Sequence, residues 1–140
     1  MILGLGIDVC SIERVEAMLQ RWGERFARRI LSARERRAIA RRVDRAAAVA
    51  GRFAAKEAFA KALARQSGRG VGWHEVEIEG GGRAPPRLRV SGEARARVER
   101  MGGEQLHLSI AHDGGVAVAV VVIEGEARGA SGSGARPRPR

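Results

Sequence analysis

The chain has 140 residues, 44% of them hydrophobic and 30% charged, and a net charge of +10. That length suits one compact globular domain that needs no disulfides, and no apolar run approaches the ~20 residues of a membrane span. Asp8 cuts short the apolar start with no basic segment before it, unlike a secretory leader, and the lone Cys10 excludes an intrachain disulfide and fits a reducing cytoplasm.

The positive charge has two sources. Residues 127–140 hold four arginines, no acid and no apolar side chain larger than alanine. Such a Gly/Ser/Pro-rich stretch reads as a disordered tail, which leaves residues 1–126 as the folded domain. Without the tail the chain keeps 22 basic and 16 acidic residues, a charge of +6. A basic core points to an acidic partner: nucleic acid, a polyphosphate cofactor or an acidic protein.

Residues 2–9 read as a first strand ending near Asp8. Ser11 is an N-cap for the helix that follows, with Arg14 where a capping box would place an acid. Over 12–26, Val15, Leu19, Trp22 and Phe26 recur at helical spacing and predict a core stripe. Arg14, Met18, Arg21 and Arg25 repeat that spacing on a neighbouring face. Ser32 opens a second helix over 33–42. The longest helical pattern spans 44–66 and contains Gly51, which costs ~1 kcal/mol relative to alanine, so close packing or ligand approach is its expected reason. A loop follows over 67–72. Residues 73–79 alternate as a strand, Gly80–Pro86 form a turn, and 87–90 a short strand. Residues 93–101 form a short helix. Leu106–His112 alternate strictly, Asp113-Gly114 turns the chain, and Val116–Ile123 return. The order β-α-α-α-β-β-α-β-β predicts a single-domain α+β fold with an antiparallel sheet packed on a long helix.

Several familiar sites are missing. There is no Walker-type phosphate loop, and Gly4-Leu5-Gly6 lacks the third glycine of a dinucleotide fingerprint. One cysteine and three scattered histidines give no zinc spacing. Aromatics are 4% of residues with no tyrosine, which weighs against a nucleic-acid stacking platform. What remains is a small set of polar residues. Of 26 basic residues only two are lysines, Lys56 and Lys61, and both flank Glu57 in the long helix. Lysine is a compact point charge that approaches a phosphate where a guanidinium does not fit. Asp8 and Glu57 beside Arg52, Lys56, Lys61 and His112 have the composition of a magnesium-phosphate site, in which one or two carboxylates share the metal with water and substrate phosphates. Each residue alone has an ordinary reading: a helix-cap aspartate, a solvated helix acid, a turn histidine.

Three segments carry a resemblance: Gly6-Ile7-Asp8 with Ile12-Glu13-Arg14, the helix motif Gly51–Lys61, and Leu108–His112. Together, in this order, they closely resemble the holo-acyl-carrier-protein synthases, short single-domain 4′-phosphopantetheinyl transferases. The resemblance spans residues 2–124. It implies transfer of the 4′-phosphopantetheine arm of coenzyme A to a serine of an apo acyl carrier protein, with adenosine 3′,5′-bisphosphate released, in support of fatty-acid or polyketide biosynthesis. Asp8 and Glu57 match the family's Mg2+ ligands, and Lys61 the lysine near the pyrophosphate. Arg52 and His112 match residues at the nucleotide's 3′-phosphate, and Pro86 resembles a proline lining the adenine pocket. Arg14 and Arg21 match the carrier-protein dock, with Arg25 displaced by one apparent insertion near Gly23. The resemblance also implies a homotrimer with active sites between subunits. It leaves open the role of Lys56, which is structural or catalytic, and the serine-activating base, for which Glu57, Asp8 and a metal-held water are candidates. The chain departs from the family pattern at Ala111, usually Ser or Thr, and in the loop after the lysine helix. Other readings of the charge are a small basic nucleic-acid-binding domain and a non-catalytic subunit of a carrier-protein assembly.

Overall fold

The computed structural model describes residues 1–63 and 70–128. The expected end of the long helix at 66, the start of the loop at 67 and most of the tail lie outside the described residues. The chain forms β1 (Ile2–Ser11), α1 (Ile12–Trp22), α2 (Glu24–Ile30), α3 (Ala33–Ile39), α4 (Arg45–Ala62), a 3₁₀ turn (Trp73–Glu75), β2 (Val76–Gly81), β3 (Ala84–Val90), α5 (Gly92–Arg100), β4 (Gly103–Asp113) and β5 (Val116–Gly125). This is the expected α+β domain with antiparallel strands. The strands divide into a three-stranded sheet of order β1-β5-β4 and a separate hairpin β2-β3.

Among the described residues four helices, not three, precede β2. Gly23 takes φ 55° and its N–H bonds back to the Leu19 carbonyl at 2.8 Å, ending α1. A left-handed φ is cheap only for glycine, so the expected single helix over 12–26 becomes two. Trp22 therefore leaves the core stripe and is exposed, while Val15 is buried. Residues 73–75 form the 3₁₀ turn instead of a strand, and Trp73 stacks on Phe53 with ring centroids 5.2 Å apart. Pro85 and Pro86 belong to β3, not to the turn. Prolines are tolerated there because β3 is one of only two strands in its hairpin and has a free edge.

The β4–β5 hairpin turns through Gly114 and Gly115, both at positive φ, as a two-residue connection requires. Alternate residues of β5, Ala117, Ala119, Val121 and Ile123, are fully buried against α4, the helix packed across this sheet. The helix presents Ala54, Ala55, Ala58, Phe59 and Ala62 to the same core. Strand β1 comes still closer. A Cβ on Gly6 would lie 1.8 Å from the Ala58 carbonyl oxygen, and one on Gly4 would lie 2.3 Å from that of Ala62. The Gly4-Leu5-Gly6 pair thus serves backbone-to-backbone packing. A second cluster, Val15, Ile30, Leu31, Ile39 and Val49, ties α1–α3 to the first half of α4.

Candidate active site

The β1–α4 contact positions the first part of the site. Asp8 is two residues beyond Gly6 and so shares its helix-facing side of the pleat. It lies within β1, three residues before the strand's end, correcting the expectation that the strand stops there. Lys61 Nζ donates to Asp8 Oδ1 at 2.9 Å and to the Ile7 carbonyl at 3.0 Å. Glu57 is one helical turn before Lys61 on the same face of α4.

Lys56 points elsewhere. Its Nζ donates to Glu35 Oε1 at 2.6 Å and to the Trp73 carbonyl at 2.8 Å. Glu35 also closes a capping box with Ser32 and accepts from the Ile78 backbone N–H at 3.2 Å through Oε2. Both side chains are almost fully buried, at 2% and 1% exposure. Burial pushes the Lys56 ammonium below its usual pKa, and the Glu35 carboxylate offsets part of that effect. Lys56 is therefore a structural lysine that joins α3, α4 and β2. The two lysines thus make two different contacts, a buried ion pair with Glu35 and a half-exposed one with Asp8.

Arg52, Pro86 and His112, which the resemblance assigns to the nucleotide, line one cavity of about 540 Å³ between α4, the β2–β3 turn and β4. Arg42 and Arg83 line it too, and among the described residues none that lines it is acidic. Gly51 belongs to its wall; a Cβ there would meet Ile110 Cγ2 at 3.1 Å, so close packing explains this helix glycine. Arg52 is 5% exposed. Its Nη1 donates to the Ala48 carbonyl at 3.3 Å and its Nη2 to that of Gly80 at 3.2 Å. Its Nε is buried without a partner among the described residues. Burial pushes its pKa below the usual arginine value. A buried guanidinium with an idle donor beside other cations is suited to an anion. Sequence reading missed Arg42, because it precedes α4 and reaches the cavity only through the tertiary fold.

Arg14 and Arg21 are exposed on α1. Arg25 is on α2, so the expected continuous face is interrupted at Gly23. The break still brings Arg25 to one shallow groove with Met18, Trp22 and Phe26. Arg21 covers the Trp22 ring, 5.0 Å from its centroid. Cys10 is no activated nucleophile: burial first, and the Asp8 charge second, raise its pKa, while Arg14 opposes them.

This geometry accords with comparisons to known proteins. A family model described as 4′-phosphopantetheinyl transferase superfamily matches residues 4–121. A holo-[acyl-carrier-protein] synthase of Methylorubrum populi is 46% identical over 101 residues, covering 72% of this chain and 74% of its own. The crystal structure of the corresponding synthase from Neisseria meningitidis superposes with TM-score 0.77 at 30% identity, covering 89% of this chain and 99% of that one. The Helicobacter pylori synthase in complex with coenzyme A superposes with TM-score 0.73 at 32% identity, covering 86% and 99%. The chain belongs to the 4′-phosphopantetheinyl transferase superfamily. Within that class it is an enzyme of the holo-[acyl-carrier-protein] synthase type.

Proposed function

We propose that this enzyme moves the 4′-phosphopantetheine arm of coenzyme A onto a serine hydroxyl of an apo acyl carrier protein, in support of fatty-acid or polyketide biosynthesis. The observation that carries this reading is the cation-lined cavity holding Arg52, Pro86 and His112, built on the same helix that carries Glu57 and, one turn later, the Lys61 that reaches Asp8. The synthase crystallised with coenzyme A shares this fold, which supports the nucleotide as the cavity's occupant. In this reading Arg52 and His112 hold the 3′-phosphate, Pro86 borders the adenine, and Lys61 neutralises the pyrophosphate.

The serine oxygen forms a bond to the phosphorus that carries the pantetheine arm. The bond from that phosphorus to the bridging oxygen breaks, and its electrons leave with adenosine 3′,5′-bisphosphate. The serine proton passes to a base at the Asp8–Glu57 end of the site. Positioning and charge neutralisation carry most of such a displacement. Asp8 and Glu57 are the proposed Mg2+ ligands. Their donor set fits: both offer hard carboxylate oxygens, and Asp8 already holds a cation, the Lys61 ammonium. When bound, magnesium would stabilise the charge that develops on the leaving bisphosphate.

The outer face of the three-stranded sheet supports a homotrimer. Leu5, Ile7 and Val9 are 65%, 56% and 59% exposed. Their register partners on β5 are Val122, Val120 and Val118, so one apolar patch crosses both strands. Arg14, Arg21 and Arg25 form the proposed dock for an acidic carrier protein. A cytoplasmic setting fits the free Cys10.

The test is intact-mass spectrometry of an apo acyl carrier protein incubated with this enzyme, coenzyme A and magnesium. The expected result is a gain of about 340 Da, abolished by EDTA. Glu57→Gln should also abolish it while circular dichroism stays unchanged. No gain with several carriers would refute the reading.

A further inference from the structure

Two like charges converge at the mouth of the cavity. Arg52 Nη2 and Arg42 Nη1 lie 3.8 and 3.9 Å from one point, the place a Cβ on Gly81 would occupy. Guanidinium groups gathered this closely repel each other, and Arg42 contributes to the lowered pKa of Arg52. An anion between them would reverse the sign of that interaction. Gly81 carries no side chain that would fill the space, and its φ of 91° keeps the position to glycine.

Arg42 is also held in one orientation. Asp44 Oδ1 accepts from its Nε at 2.8 Å, and Oδ2 accepts from its Nη2 at 2.7 Å. This two-pronged grip occupies one edge of the guanidinium. The remaining nitrogen, Nη1, is the one beside Gly81. Asp44 is not among the residues lining the cavity; it borders a neighbouring groove with Val43 and Arg45.

We propose that Arg42 is a further substrate-binding residue, whose Nη1 contacts the same terminal phosphate monoester as Arg52, and that Asp44 is the positioning residue that aims it. This rests on the reading that the cavity takes the 3′-phosphorylated nucleotide end of coenzyme A. Asp44 has two conceivable effects, with opposite signs. A mere counter-ion would weaken phosphate binding, so its removal would tighten it. A positioning residue strengthens binding, so its removal weakens it even though the cavity becomes more positive.

The experiment is isothermal titration of the full-length protein with coenzyme A and with 3′-dephospho-coenzyme A. Arg42→Gln should weaken coenzyme A binding about tenfold or more, the scale of a lost charge-assisted contact. Binding of the dephospho form should change less than twofold, so the preference between the two ligands collapses. Asp44→Asn should reduce the same preference by a smaller factor. Should Arg42→Gln fail to fold, Arg42→Lys keeps the charge without the fork, and a several-fold loss of preference is expected. Equal weakening of both ligands, or an unchanged preference while Arg52→Gln loses it, would overturn the Arg42 assignment and leave the cavity reading standing. Tighter coenzyme A binding by Asp44→Asn would overturn the positioning role. A parent protein that binds both ligands equally would sink the cavity reading itself, and the proposal with it.

Discussion

Gly6→Ala should damage both the fold and the activity of this enzyme. The new Cβ would sit 1.8 Å from the Ala58 carbonyl oxygen and 2.8 Å from the Ala62 nitrogen, where separations under 3.0 Å are essentially never found. The obstacle is backbone on both sides. Strand β1 is hydrogen-bonded to β5, and Ala58 lies inside α4, so no rotamer change relieves the clash. Strand and helix must part by about 1.2 Å, the shortfall to that limit. Overpacking of this kind costs roughly 1–3 kcal/mol. Asp8 rides on the same strand two residues on, so its carboxylate would shift by a similar distance relative to α4. A misplacement of that size costs on the order of 10²-fold in rate. Urea unfolding and initial rates of carrier modification measure the two effects. A Gly6→Ala protein with the parent's unfolding midpoint and rate would refute the idea that β1–α4 contact sets the position of Asp8.

Other perturbations address separate parts of the molecule. Lys56→Met leaves the Glu35 carboxylate buried without its cation and should destabilise the fold by roughly 3–5 kcal/mol; adding Glu35→Gln should recover part of the loss in urea titrations, and a single-variant effect under about 1 kcal/mol would contradict the structural role. Arg14→Glu with Arg21→Glu should raise the Michaelis constant for carrier protein about tenfold or more while leaving that for coenzyme A nearly unchanged. Equal effects on both constants would argue against the dock. Ile7→Asp places a charge in the exposed apolar sheet face and should shift sedimentation from trimer to monomer; an unshifted profile would remove that face from the interface.

Much of this architecture is legible along the chain, because strands, caps and the β4–β5 turn are set by residues within a few positions of each other. Ser11 and Ser32 cap α1 and α3 through contacts three residues away. The Gly51–Lys61 motif places its cations on α4 by helical spacing alone. Breaks were harder to read. Gly23 lies inside the helix predicted over 12–26 and is a boundary between two helices, because a single positive φ redirects the chain whatever the apolar period on either side. Partners distant in sequence were not legible at all. Lys56 and Lys61 both lie within four residues of Glu57 in the sequence, yet one is sealed against Glu35 and the other reaches Asp8. The reason is rotational: the five steps from one to the other turn the helix by about 500°, a net offset of about 140°, so they face different neighbours. Local order thus follows from the sequence by itself. Only tertiary packing decided which lysine pairs with Glu35, which pairs with Asp8, and that Arg42 lines the cavity.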